Sequence, residues 1–254
     1  MNGLININKP KCATPLASLH KLRRSISMPD TVKIGYAGRL DPLASGVLLA
    51  MIGDTCRERD RFQALEKSYK FCVLLGVHTD SLDPLGVVDE IRISEADPSI
   101  TTIRKILKKT ELIQDQRIPL YSSYTINGTQ MYKLARSGDI TDIDRPIREI
   151  SIRSLQLEAQ TFVDRDLLID RFLSEIDQVE GNFRQDDIIS RWKSIKKELP
   201  SKLHILNCTA TVSSGTYIRS IAEQIGTYLN TTAIAYDIVR TSVGKFSLSN
   251  SFYL

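Results

Sequence analysis

The residues that could carry chemistry in this chain fall in three clusters. The densest is Gly35-Tyr36-Ala37-Gly38-Arg39-Leu40-Asp41-Pro42-Leu43-Ala44-Ser45-Gly46. Three glycines and a proline in twelve residues describe a tightly folded loop, so Asp41 is held in place rather than left in solvent. A turn aspartate that caps the backbone is the plain alternative. A second cluster, Ser213-Ser214-Gly215-Thr216-Tyr217-Ile218-Arg219, reads as a helix start with a Ser or Thr N-cap, whose free amides favour an anion. Arg219 then sits in the first turn, where the helix dipole disfavours a cation. Such a placement implies a carboxylate or phosphate partner, the alternative being an ordinary surface arginine. The third cluster runs from Lys67-Ser68-Tyr69-Lys70 to Thr79-Asp80-Ser81-Leu82-Asp83, where Tyr69 heads an alternating stretch and reads by itself as half-buried packing.

Other chemistries find no support. His20, His78 and His204 share no ligand spacing and read as structural or surface residues. Cys12, Cys56, Cys72 and Cys208 form no CxxC pair, which removes zinc sites and disulfide frameworks. Neither a GxGxxG nor a GxxxxGK[ST] sequence is present, so nucleotide-cofactor folds are not indicated.

The elements that must position the clusters can be traced by periodicity. Leu4, Ile5 and Ile7 predict a strand stopped by Lys9-Pro10, and Leu16, Leu19, Leu22 and Ile26 a helix ending before Pro29. Val47–Ile52 is a short buried strand, and Tyr69, Phe71, Val73 and Leu75 alternate as in a strand with one face packed. Further strands are expected near Val87–Ile93, Ile150–Leu157 and 203–212, with helices over 100–107 and 218–229 and a turn at Asn127-Gly128. Residues 164–199 carry two helical stripes, Leu168 to Val179 and Ile188 to Ile195, with Asn182 and Gln185 in capping-box spacing and Pro200 as a stop. This is a helical hairpin inserted between two strands. The Met residues and Trp192 read as core. Strands and helices without strict alternation give a mixed α+β fold.

The 254 residues are 42% hydrophobic and 25% charged, ordinary globular composition that excludes fibrous and disordered classes. Apolar runs are far shorter than the roughly 20 residues of a membrane span. The start, MNGLININKP, has no apolar signal core, so a cytoplasmic location is expected. Net charge is +4, but residues 1–70 hold twelve Lys and Arg against six Asp and Glu. That basic excess, around 9–11, 20–24, Arg57, Arg59 and Arg61, predicts either a polyanion-binding face or a merely solvated basic surface.

Taken in order, these clusters resemble a known family. GYAGRLDPLASGVLLAMIGD is similar to the catalytic loop of TruB-type tRNA pseudouridine synthases, GHxGTLDPxAxGxLxxxxG. NKPKC at 8–12 resembles the KPxG motif, and KSYKFCVLLGVHTDSLD the KxYxxxxxLGxxTDTxD strand. QDQRIPLYSSYTINGTQMYKLARSG resembles QxPPxYSAxKxxGxxxYxxAR, and SSGTYIRSIAEQIG and DIVRTSVGKF fit the last two motifs, so the resemblance spans about residues 3–247. It implies a mixed, mainly antiparallel central sheet with flanking helices. Residues 1–254 would form one catalytic domain, the 164–199 hairpin an insert, with no C-terminal PUA domain.

The resemblance also implies roles. Asp41 is the catalytic carboxylate, Tyr69 stacks on the target base and Arg219 pairs with Asp41. Lys9 and Pro10 match the buttressing motif, while Tyr217 and Ile238 match positions lining the uracil pocket. The reaction detaches uracil from C1′ of its ribose, rotates it and rejoins it through C5, with no cofactor and no metal. The implied partner is the T-arm of tRNA, at uridine 55, acted on by a monomer with no membrane association. Alternatives are the same chemistry on another RNA, such as ribosomal RNA, or a non-catalytic RNA-binding or chaperone protein of this fold. Three positions depart from the pattern: Tyr36 replaces the histidine that displaces the flipped base and is expected to do so by stacking, Arg39 replaces threonine, and Cys12 replaces glycine.

Overall fold

A computed structural model of the chain describes residues 2–94, 96–140 and 145–254. Its elements in chain order begin with β1 (Gly3–Lys9), α1 (Pro15–Ser25), β2 (Ile34–Ala37), β3 (Ser45–Ile52), α2 (Arg59–Gln63) and β4 (Lys67–Leu75). The middle of the chain holds β5 (Val77–Thr79), β6 (Val88–Ile91), α3 (Ile100–Glu111), β7 (Asp115–Arg117), β8 (Thr125–Ile126), β9 (Thr129–Gln130), α4 (Met131–Ser137) and β10 (Ile147–Glu149). The last third supplies β11 (Ile152–Asp164), α5 (Arg165–Asp177), α6 (Gln185–Ile195), β12 (Lys202–Val212), α7 (Ile218–Tyr228), β13 (Ala233–Val243), β14 (Phe246–Ser247) and β15 (Phe252–Tyr253).

The main sheet runs β11-β12-β4-β13-β3-β1-β15, with β2 on β3 and β14 on β13. Most of its pairs are antiparallel; β13 with β3 and β1 with β15 are parallel. This is the expected mixed, mainly antiparallel α+β sheet. Its centre is covered on both faces. Tyr69, Phe71 and Val73 pack with Ile103 and Leu107 of α3 and Ile221, Ala222 and Ile225 of α7. On the other face Leu74, Ile205 and Ile234 pack with Phe172, Ile176, Ile188 and Trp192 of the α5–α6 hairpin. The expectation that only one face of β4 is packed is therefore corrected: the hairpin covers the second.

The hairpin forms between paired strands β11 and β12. Asp164 caps α5, accepting from the amides of Asp166 and Leu167 at 2.9 and 3.1 Å. The expected capping box at Asn182 and Gln185 is not formed. The N-cap of α6 is Arg184 in a left-handed conformation, and Gln185 Oε1 instead accepts from the Phe183 amide at 2.8 Å. Likewise α7 starts at Tyr217 with no side-chain cap. Met28, Met51, Met131 and Trp192 are buried as expected, while Met1 lies outside the described residues. Among the described residues no helix is long and apolar enough to cross a membrane.

The sequence reading gave β2 only as loop and β13 only as a motif. β2 has four residues, too few for a visible period, and β13 interrupts its apolar residues with Asp237, Arg240, Thr241 and Ser242. Where β13 runs beside β3, Gly46 has φ +105°, and a Cβ there would lie 2.2 Å from the Arg240 carbonyl oxygen. Both the conformation and the close approach require glycine. Gly46→Ala is expected to lower the free energy of unfolding by about 3 kcal/mol or more, measured by urea denaturation, because neither backbone can yield.

Candidate active site

The loop between β2 and β3 carries Asp41, and two buried cations fix its backbone. Lys9, at the end of β1 and wholly buried, donates from Nζ to the carbonyls of Pro10, Ala13 and Pro42 at 2.9, 2.6 and 3.2 Å. Arg240, on β13 and also buried, donates to the carbonyls of Val47, Arg39 and Gly38 at 2.7, 2.9 and 3.2 Å. The residues on either side of Asp41 are thus held by charge-assisted hydrogen bonds, about twice as strong as neutral ones.

A third buried cation holds the carboxylate itself. Arg219, 2% exposed in the first turn of α7, places Nε 2.9 Å from Asp41 Oδ2 and Nη2 3.4 Å from Oδ1. Its remaining N–H groups go to the carbonyls of Ser81 and Tyr121, the latter at 3.2 Å. Asp83 Oδ2 lies 3.9 Å from Nε, so one guanidinium faces two carboxylates. They differ in setting. Asp41 keeps 40% of its side chain exposed, whereas Asp83 is buried and accepts from Ser81 Oγ at 2.6 Å and the Leu85 amide at 3.0 Å. Burial, reinforced by the charge of Asp41 and opposed by Arg219, pushes the Asp83 carboxyl up to about 6.

Asp41 opens onto a cleft lined also by Leu43, Ala44, Pro84, Asp237 and Ile238. Tyr69 and Ile238 belong to one apolar cluster with Leu40 and Ala44, the residues around Asp41. Tyr217 is the N-cap residue of α7, two positions before Arg219, and its backbone is gripped by Gln116. The structure therefore brings Asp41, Arg219, Tyr69, Tyr217, Ile238 and Lys9 to one place. Pro10 is exposed and contributes its carbonyl to Lys9. Tyr36, on β2, is partly buried against Ile7, Leu19, Leu22 and Leu48.

The basic first quarter divides. Lys9 and Lys67 are buried, and Lys11 is engaged by Glu175 and Asp237, so none of these forms a polyanion face. Lys21, Arg24, Arg39, Arg57, Arg59 and Arg61 are exposed. The sequence reading did not nominate Asp83, Arg240, Lys11 or Asp237. All four lie inside quoted motifs, and a buried pairing across more than a hundred residues leaves no local pattern. Cys12, where the family pattern has glycine, takes φ +67° and packs its side chain against the hairpin's apolar cluster.

A fold of this kind is known. The chain superposes with a TM-score of 0.60, at 19% identity, on a chain of the crystal structure of a Cbf5-Nop10-Gar1 complex, over 99% of its own length and 52% of the other's. It has the pseudouridine synthase fold. The sequence family described as TruB family pseudouridylate synthase (N terminal domain) matches residues 23–171, more than half of the chain. Proteins named tRNA pseudouridine synthase B from Staphylococcus haemolyticus and Clostridium kluyveri are 31% and 28% identical over all of this chain, covering 70% and 71% of their own lengths. The chain belongs to the TruB family of pseudouridylate synthases.

The buried lysines have a thermodynamic consequence. Burial pushes the Lys9 ammonium down to about 7, opposed by Asp41, and burial with Arg240 and Arg148 pushes Lys67 down to about 8. An unfolded chain keeps these two protons to about pH 10.4, so from pH 7 upward the two lysines make stability rise with pH, whereas His78, in which the cost of burial is outweighed by Asp89 and Glu223 so that it is raised to about 10, opposes them. Burial raises the thiols of Cys72 and Cys208 to about 11 and about 12, which opposes the trend above about pH 9. Lys9→Met is expected to remove up to about 1.4 kcal/mol per pH unit of that slope between pH 7 and 9, read from urea unfolding at several pH values.

Proposed function

We propose that this chain isomerises uridine 55 in the T-loop of tRNA to pseudouridine, with Asp41 as the catalytic carboxylate. The observation that carries the reading is the pairing of a half-exposed Asp41 with a fully enclosed Arg219 at the edge of a cleft. The guanidinium orients the carboxylate and also donates to the carbonyls of Ser81 and Tyr121, so the exposed side of Asp41 is directed at the cleft.

An ionised carboxylate is what each route to base detachment needs, whether it attacks C1′ or C6 or removes a sugar proton. Leu43, Ala44 and Ile238 give the cleft apolar surface against which a flipped base can lie. A uridine in a folded loop leaves its stack to reach such a site, and Tyr69 offers an aromatic face in return. Stacking of that kind contributes about 1–3 kcal/mol per base. Tyr217 and Ile238 form the rest of the base pocket, Lys9 and Pro10 brace the loop, and Tyr36 acts in displacing the base. Exposed Arg24, Arg39, Arg57 and Arg59 supply contacts to phosphates, which position RNA without reading its sequence. The tRNA substrate follows the names of the relatives. Residues 1–254 act as one catalytic domain in this reading.

Incubation with unmodified tRNA transcript, followed by mapping of pseudouridine, is expected to find the product at position 55 with the wild-type chain. Asp41→Asn keeps the size and loses the charge. It should reduce the rate at least a hundredfold while tRNA binding changes by less than about tenfold, or about 1.4 kcal/mol. Turnover above a hundredth of wild type would remove Asp41 from the role. Arg219→Lys keeps charge but loses the planar fork, and a large loss of kcat is expected; an unchanged rate would show that the arginine does not set Asp41.

A further inference from the structure

The α5–α6 hairpin reaches the cleft through a four-membered charge network. Lys11 Nζ contacts Glu175 Oε1 at 2.7 Å and Asp237 Oδ1 at 2.5 Å. Arg171 Nε contacts Glu175 Oε1 at 2.8 Å, and its Nη2 donates to Asp237. Two members come from α5, one from the segment after β1 and one from β13. Lys11, Glu175 and Asp237 themselves line the cleft that holds Asp41 and Ile238.

Asp237 is the unusual member. It has φ +50° and sits where the register of β13 on β4 breaks, between Tyr236 and Val239. An aspartate tolerates the left-handed conformation only with some strain, and the break decides where the next side chain points. That next residue is Ile238, which packs in the cluster with Tyr69, Leu40 and Ala44. Burial pushes the Asp237 carboxyl up, but Arg171 and Lys11 outweigh burial and hold it below its ordinary range. A second contact of the hairpin acts on the same region: Cys12, left-handed at φ +67°, packs against the hairpin's apolar cluster.

We propose that Arg171 and Glu175 of α5 are positioning residues for the base pocket, acting with Lys11 to hold Asp237 in the left-handed bulge that sets Ile238 against the reacting base. The inference rests on the reading of the cleft as the uracil site. Net charge in the network is zero, so loss of Arg171 leaves one uncompensated carboxylate at the bulge. Lys11 alone must then serve both Glu175 and Asp237, and the bulge loosens.

The test measures kcat and KM on unmodified tRNA for wild type, Arg171→Met, Ile238→Ala, both together, and Arg171→Met with Asp237→Asn. It also measures amide hydrogen exchange across 233–243 in each. Arg171→Met is expected to lower kcat about tenfold with KM within about threefold, since phosphate contacts elsewhere carry affinity. In the Ile238→Ala background the same change should cost less than about twofold, because residues acting through one another are not additive. Asp237→Asn should restore kcat to within about threefold of wild type, since asparagine accepts the left-handed conformation and needs no cation. Exchange at 236–239 should rise in Arg171→Met and return in the Asp237→Asn double variant. If Arg171→Met does not fold, Arg171→Lys, which keeps the charge without the forked reach, should show a smaller loss in the same quantities. An unchanged kcat, an equal loss in the Ile238→Ala background or unchanged exchange would each overturn the proposal. Exchange needs no turnover, so a wild-type chain that makes no pseudouridine would refute the functional reading, while exchange still decides the coupling of α5 to the bulge.

Discussion

Enclosing the guanidinium of Arg219 is the constraint from which the architecture of the site follows. A buried charge is costly unless it is paired and its donors are satisfied. Arg219 is paired with Asp41 and Asp83 and donates from its two Nη atoms to Asp41 and the carbonyls of Ser81 and Tyr121, groups from three separate stretches of chain, while its Nε meets Asp41 as an ion pair without a hydrogen bond. The loop that carries Asp41, the β5–β6 connection and the segment after β7 are therefore fixed relative to α7 by one side chain. Its two carboxylates are made unequal by exposure alone. Asp83 is enclosed and raised to about 6, so its role is to complete the enclosure, while Asp41 faces the cleft.

Lys9 and Arg240 extend the same device to the loop backbone. Arg240 donates to carbonyls on both sides of Asp41, and Lys9 ties the Pro42 carbonyl to those of Pro10 and Ala13. Carbonyls stabilise a cation without adding negative charge, so the surroundings of Asp41 stay positive. A carboxylate placed by rigid strands and buried donors is already oriented before any substrate arrives, the condition under which electrostatic catalysis is most effective.

The α5–α6 hairpin is bound into the fold by both its apolar and its polar side chains. Its apolar faces cover a side of the sheet, burying Leu74, Ile205 and Ile234. Its polar groups are mostly spent internally: Lys196 pairs with Asp170 and Asp166, Arg191 donates to the Val88 carbonyl, and Arg184 grips Asp80 at 2.8 Å. The indole of Trp192 donates to the Pro84 carbonyl at 3.1 Å, one residue from Asp83. A hairpin so engaged is a buttress of the site more than a loose RNA-binding arm.

Much of this was readable in the residues themselves. Period-2 and helical spacing located β1, α1, β3, β4, α3, β12, α7 and both hairpin helices, because each buries a stripe of its own side chains. Glycines and Pro42 around Asp41 marked the loop, and an arginine in the first turn of α7 implied a carboxylate partner, because its cost is local. What the residues could not state was which carboxylate Arg219 meets, that Lys9 and Arg240 serve the same loop, or that Asp237 turns β13 beside the cleft. Those facts arise between segments up to about two hundred positions apart, such as Gly38 and Arg240. They depend on strand order and register, which no local spacing records. Local chemistry determined the elements and the candidate residues; burial and pairing across the sheet decided which charges are enclosed and which one is left to act.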